Sequence, residues 1–193
     1  VLEEVDALTD FAHANGMYLH MDGARIANAV AALGLDPADG LARITRGVDV
    51  LSFGGTKNGM LYGEAVVFLN AELGRDFKYI RKQGMQLASK MRYISAQFSA
   101  LFEEDLWYAN AAHANGMAAL LEKRLSGLGV ALTRKRETNA IFATLDPGIT
   151  EKLQQEYFFY VWNPEINEVR LMTSFDTTEE DISHFVESLQ ALL

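Results

Sequence analysis

The chain has 193 residues, 49% of them apolar and 22% charged, with no cysteine and a formal net charge of −9. Without cysteine, a disulfide scaffold, a thiolate metal site and a cysteine nucleophile are excluded. The negative balance argues against general nucleic-acid affinity, and no run approaches the ~20 apolar residues of a membrane helix. The lack of cysteine fits a reducing cytosol, and no secretory signal is visible, so a cytoplasmic location is the expectation. It begins at Val1 and enters a helical pattern at once, which reads as a start inside a longer protein.

In chain order, Leu2, Val5, Leu8 and Phe11 form a helical stripe over residues 2–14, stopped by Asn15-Gly16. Residues 17–21 read as a covered strand, 24–33 and 38–46 as helices, 48–53 as a second strand and 64–69 as a third. Helix–strand alternation at this spacing is the signature of an α/β domain with a mostly parallel sheet. From about 70 to 104 the pattern is helical, with Phe77, Ile80, Leu87, Met91, Ile94, Phe98 and Leu101 on one side and a break at Gly84. A helix over 105–126 precedes a smaller α+β unit with strands at 140–145, 158–162 and 169–174. Thr177-Thr-Glu-Glu180 matches a capping box that opens a final helix carrying Ile182, Phe185, Val186 and Leu189. Two domains are expected, 1–104 and 105–193.

Two strand ends carry the chemistry. Asp22 closes the strand before Gly23, and Lys57 follows the next strand in Gly54-Gly-Thr-Lys-Asn-Gly59, thirty-five residues on. Ligands of open α/β sheets bind at the carboxyl ends of strands, where these two residues face one crevice. A lysine amine and a carboxylate so placed suit pyridoxal phosphate (PLP): the amine holds the cofactor as a Schiff base and the acid pairs with the pyridine nitrogen. Singly, Asp22 also reads as a helix N-cap and Lys57 as an exposed loop lysine. Arg25, a turn beyond Asp22, suits a carboxylate or the cofactor's ring oxygen, or is a surface arginine. Arg170, between Val169 and Leu171, either faces solvent by alternation or clamps a carboxylate. His20 shares a strand face with Asp22 and either orients it or is a core histidine. No histidine–carboxylate spacing supports a metal site.

His20-Met-Asp-Gly-Ala-Arg-Ile-Ala-Asn28 and Ser52-Phe-Gly-Gly-Thr-Lys-Asn-Gly59 resemble the low-specificity L-threonine aldolases, in the β-eliminating lyase group of fold-type-I PLP enzymes. Arg81-Lys-Gln83, Leu87-Ala-Ser-Lys-Met-Arg92 and Val169-Arg-Leu-Met-Thr173 extend the likeness over nearly the whole chain. The resemblance implies that Lys57 is the Schiff-base lysine, Asp22 the pyridine-nitrogen partner, and Arg25 and Arg170 the pair that hold the substrate carboxylate. It implies Lys82, Lys90 or Arg92 as contacts to a neighbouring subunit's cofactor phosphate, in a homodimer or homotetramer. The implied reaction is retro-aldol cleavage of L-threonine or L-allo-threonine to glycine and acetaldehyde. Members carry an N-terminal part with the phosphate-binding turn and a ring-stacking histidine, so the chain is expected to be a C-terminal portion. Another fold-type-I lyase, an aminotransferase, or an inactive fragment serving as an interaction module are the alternatives.

Overall fold

A computed structural model describes residues 1–193, which pack as two units, Val1–Ala109 and Asn110–Leu193. In the first, α1 (Leu2–Ala14) leads to β1 (His20–Gly23), and α2 (Ile26–Ala32) and α3 (Gly40–Ile44) connect it to β2 (Val50–Gly54). β1 and β2 pair in parallel, His20 with Val50 through Gly23 with Phe53. β3 (Glu64–Phe68) pairs with β2 antiparallel, giving the order β1-β2-β3. The α/β class expected from the sequence is present, and the sheet in this chain is mixed rather than mostly parallel. The reason is the connection: residues 55–63 contain one short 3₁₀ turn and no crossover helix, and a parallel return needs a dozen or more residues.

The core of this unit is formed by Ile26, Ala27 and Val30 of α2 with Ile44, Val48, Leu51, Phe53, Met60, Leu101 and Trp107, all buried. α1 does not bury the stripe its sequence suggests. Thr9 and Ala12 are buried, whereas Leu8 and Phe11 are 59% and 63% exposed. Two local ties select the face. The Thr9 methyl sits where a Cβ on Gly47 would be, 2.4 Å away, and His13 Nε2 lies 2.9 Å from Asp49 Oδ2.

The helical stretch expected over 70–104 is divided. A 3₁₀ turn at Ala71–Gly74 is followed by α4 (Phe77–Gln83) and α5 (Met91–Phe102), with Gly84 closing α4. α5 then turns through Glu104 and Asp105, whose φ angles of 50° and 56° cannot continue a helix, into α6 (Leu106–Gly127).

The second unit takes α6 from Asn110 onward and adds β4 (Ala131–Leu132), β5 (Ala140–Thr144), α7 (Pro147–Leu153), β6 (Tyr160–Asn163), β7 (Glu168–Met172) and α8 (Glu179–Gln190). Its antiparallel sheet runs β4-β5-β7-β6. Ile141, Ala143, Val169 and Leu171 face inward against Ala118, Leu121 and Leu125 of α6 and Ile182, Phe185 and Leu189 of α8. β4 and α7 have too few residues for a visible period. α7 starts at the Asp146 N-cap with Pro147 behind it, a start signal legible in retrospect. The capping box of α8 is shifted one residue from the sequence match. Thr178 caps, its Oγ1 accepting from Asp181 N at 3.1 Å, and Asp181, not Glu180, closes the box by accepting from Thr178 N at 2.8 Å.

Candidate active site

Asp22 is the third residue of β1 and lies in register with Ser52 of β2. In a pleated strand alternate residues share a face, so His20, Asp22 and Ser52 stand together and Met21 and Gly23 turn the other way. Asp22 is exposed at the carboxyl end of its strand, where Oδ1 accepts from Ala24 N at 3.0 Å. This Asx turn carries the chain from β1 into α2, whose N-cap residue is Arg25. Asp22 is therefore not the helix N-cap: one carboxylate oxygen shapes the turn ahead of Arg25, and the side chain remains at the solvent-facing strand end.

His20 shares this face with Asp22. Its Nε2 lies 2.9 Å from Ser52 Oγ across the parallel pair. Ser52 is the member of this face that sequence reasoning passed over. The available signal was its position, two residues before Gly54 on a strand whose other face carries Leu51 and Phe53.

Lys57 occupies the middle of the 3₁₀ turn Thr56–Asn58, three residues beyond the end of β2. Its side chain is exposed while its neighbours are held. Asn58 is buried and its Nδ2 donates to Trp107 O at 2.9 Å. Gly55 N donates to Gly63 O at 3.2 Å, and Gly63 N to Thr56 Oγ1 at 3.0 Å, closing the loop at its base. Gly59 ends the turn with φ 109°, a conformation open to glycine and costly to side-chained residues.

Glycine beside a site lysine can serve close backbone approach to a ligand. At Gly54 the close approach is to the protein itself: a Cβ there would lie 2.6 Å from Ala24 O and 2.7 Å from Ala24 Cα. The lysine strand is pressed against the turn that follows Asp22. Adjacent parallel strands, one Asx turn and one glycine contact thereby bring the aspartate end and the lysine end to the same edge of the sheet. An exposed primary amine and an exposed carboxylate at neighbouring strand ends form the donor set that an aldehyde cofactor with a basic ring nitrogen requires, so these residues fit PLP.

Of the other cations, Lys82 lies in the last turn of α4, Lys90 stands at the N-cap position of α5 and Arg92 in its first turn, all exposed. Arg170 belongs to the second unit, in the middle of β7 between Phe142 of β5 and Tyr160 of β6. It lies on the sheet face opposite the core. Its guanidinium carbon stands 5.0 Å from the centre of the Trp162 ring, and its Nε is buried without a hydrogen-bond partner.

Residues 1–147 match the beta-eliminating lyase family. The chain is 39% identical over 192 residues to a low specificity L-threonine aldolase of a Pseudomonas species, covering 99% of this chain and 55% of that protein. The enzyme of the same name from Pseudomonas aeruginosa is 39% identical over 193 residues, with the same coverage. Among solved structures, the threonine aldolase of Leishmania major superposes with a TM-score of 0.89 at 31% identity, over 99% of this chain and 56% of that one. A putative L-allo-threonine aldolase of Listeria monocytogenes shares the fold, with a TM-score of 0.71 at 18% identity, over 99% of this chain and 56% of that one. The chain spans about half the length of the relatives it matches. With the family match over most of its length and the aspartate and lysine ends assembled as described, the chain belongs to the beta-eliminating lyase family.

Proposed function

We propose that this chain is part of a PLP-dependent aldehyde-lyase that cleaves L-threonine and L-allo-threonine to glycine and acetaldehyde. The observation that carries the reading is the placement of Asp22 and Lys57 at the ends of the adjacent parallel strands β1 and β2. The names of the relatives, low specificity L-threonine aldolases, support the substrate.

PLP, when bound, supplies an electron-accepting ring that lowers the barrier to breaking a bond at the amino acid's Cα. The Lys57 amine is the covalent anchor, and the buried Asn58 amide and the Thr56–Gly63 bridge hold its turn still. The Asp22 carboxylate keeps a proton on the ring nitrogen, since an anion beside that nitrogen favours its charged form. Ser52 and His20 line the same strand face and hold one another. Arg25 and Arg170 are assigned the substrate carboxylate, for which a guanidinium offers paired donors. Lys82, Lys90 or Arg92 are assigned to a cofactor phosphate in a neighbouring subunit. A homodimer or homotetramer is proposed as the assembly. The proposed location is the cytoplasm.

Acetaldehyde release from L-threonine by the full-length, PLP-loaded protein is the direct test. Aldehyde production is expected, and formation of a keto acid without aldehyde overturns the assignment in favour of transamination.

A further inference from the structure

We infer that Trp162 is a positioning residue for substrate binding: its indole face holds the Arg170 guanidinium in the orientation in which it meets the amino-acid carboxylate. The inference rests on the reading of Arg170 as a carboxylate ligand. Arg170 sits on β7 with Phe142 as register partner on β5 and Tyr160 on β6. Its stem is covered enough that Nε is sealed from solvent, yet Nε meets no acceptor. A long arginine with no hydrogen bond from that nitrogen needs another restraint, or its terminal donors are free to swing.

The restraint on the page is aromatic. The guanidinium carbon is 5.0 Å from the Trp162 ring centre, within the range at which a cation is attracted to a ring face. Trp162 is itself braced, since its ring meets Phe142 edge-to-face, with centroids 5.7 Å apart and planes at 71°. Phe142 is capped in turn by Arg134, whose guanidinium carbon is 4.3 Å above its ring. Arg134 is pinned by a 2.8 Å ion pair to Glu168, a buried residue of β7. The ladder Glu168–Arg134–Phe142–Trp162–Arg170 runs across one face of the sheet and ends on Arg170, whose Nε has no partner. A ring contact of this kind restrains the guanidinium without using its terminal N–H donors, which suits capture of a planar carboxylate.

The test compares Trp162→Phe, Trp162→Leu and Arg170→Ala in the full-length, cofactor-loaded protein. Two equilibrium measurements by calorimetry accompany KM and kcat for L-threonine: the affinity for glycine, which has the carboxylate, and for ethanolamine, which lacks it. With Trp162→Leu, glycine affinity is expected to fall roughly tenfold, the loss of one partly buried cation–ring contact. KM for threonine rises in parallel, and ethanolamine affinity and kcat stay near the parent values. Trp162→Phe, which keeps a ring, restores most of the glycine affinity. An equal loss for glycine and ethanolamine, or equal behaviour of the Phe and Leu variants, overturns the positioning role. If Arg170→Ala leaves glycine affinity intact, the carboxylate assignment itself falls. If Arg170→Ala weakens glycine and Trp162→Leu does not, only the inference about Trp162 is lost.

Discussion

The side-chain amide of Asn58 donates to the main-chain carbonyl of Trp107 at 2.9 Å, tying the lysine turn to the first turn of α6. Both residues are buried, Asn58 4% and Trp107 2% exposed. Trp107 is set in an aromatic cluster with Phe102, which in turn packs on Phe53 of β2. The exposed lysine therefore stands on a turn fixed from below by a polar bond into an apolar core. Asn58→Ala removes this bond to a carbonyl that the α6 ladder still pairs, a loss of about 0.5–1.5 kcal/mol. Denaturant unfolding of the variant and parent measures it. The variant is also expected to lose turnover more than its stability at assay temperature explains, because Lys57 loses its fixed base.

Lys57→Ala is expected to abolish covalent attachment of PLP and aldehyde release while leaving the fold intact, since the side chain is exposed. Borohydride reduction followed by mass analysis of peptides from the parent should place the cofactor adduct on Lys57. An adduct on Lys82 or Lys90 would refute the assignment.

Asp22→Asn keeps the size of the side chain and an oxygen able to accept from Ala24 N, so folding should be little changed. It removes the anion proposed to hold the ring proton. A fall in kcat of about 10²–10³ is the size expected when one preorganised electrostatic contact is lost. Steady-state kinetics, with PLP content measured alongside, separate this from loss of the cofactor.

Gly54→Ala would place a methyl 2.6 Å from Ala24 O and 2.7 Å from Ala24 Cα, both main-chain atoms that cannot rotate away. Overpacking of this kind costs typically about 1–3 kcal/mol, and separating β2 from the Asp22 turn should lower PLP affinity as well. Thermal melts and a PLP titration check the two effects independently.

Acid should weaken the first unit through Asp49. Burial pushes its carboxyl up, but hydrogen bonds from His13, Asn70 and Leu19 N outweigh burial and hold it below its ordinary value. A carboxyl depressed in the folded state binds protons more readily when unfolded. Its contribution is therefore present above the ordinary aspartate pKa of about 3.9 and is lost as pH falls through the lower folded value. Denaturation midpoints measured from neutral pH down to about pH 2 should fall most steeply in that window. Asp49→Asn should be less stable than the parent at neutral pH and show a shallower acid slope.

Local pattern carried much of the fold. The first helix, the parallel pair, the break at Gly84 and the inward residues Ile182, Phe185 and Leu189 of α8 all follow from periodicity and glycine placement. Elsewhere a neighbour decides between locally equal choices. The face of α1 was set by Thr9 against Gly47 and His13 on Asp49, partners more than thirty residues away. The direction of β3 was set by the length and folding of the lysine loop.

The sequence by itself determined the chemistry of the candidate site. An aspartate and a lysine each follow a strand-like run with a turn signal behind it, and residue type at a strand end is a local property. Only the tertiary structure decided how those residues are held. Asn58 on Trp107, Ser52 on His20, Gly54 against Ala24 and Trp162 beneath Arg170 are contacts between segments distant in sequence or on separate strands. Their partners depend on strand register and close packing, and no local periodicity encodes either one.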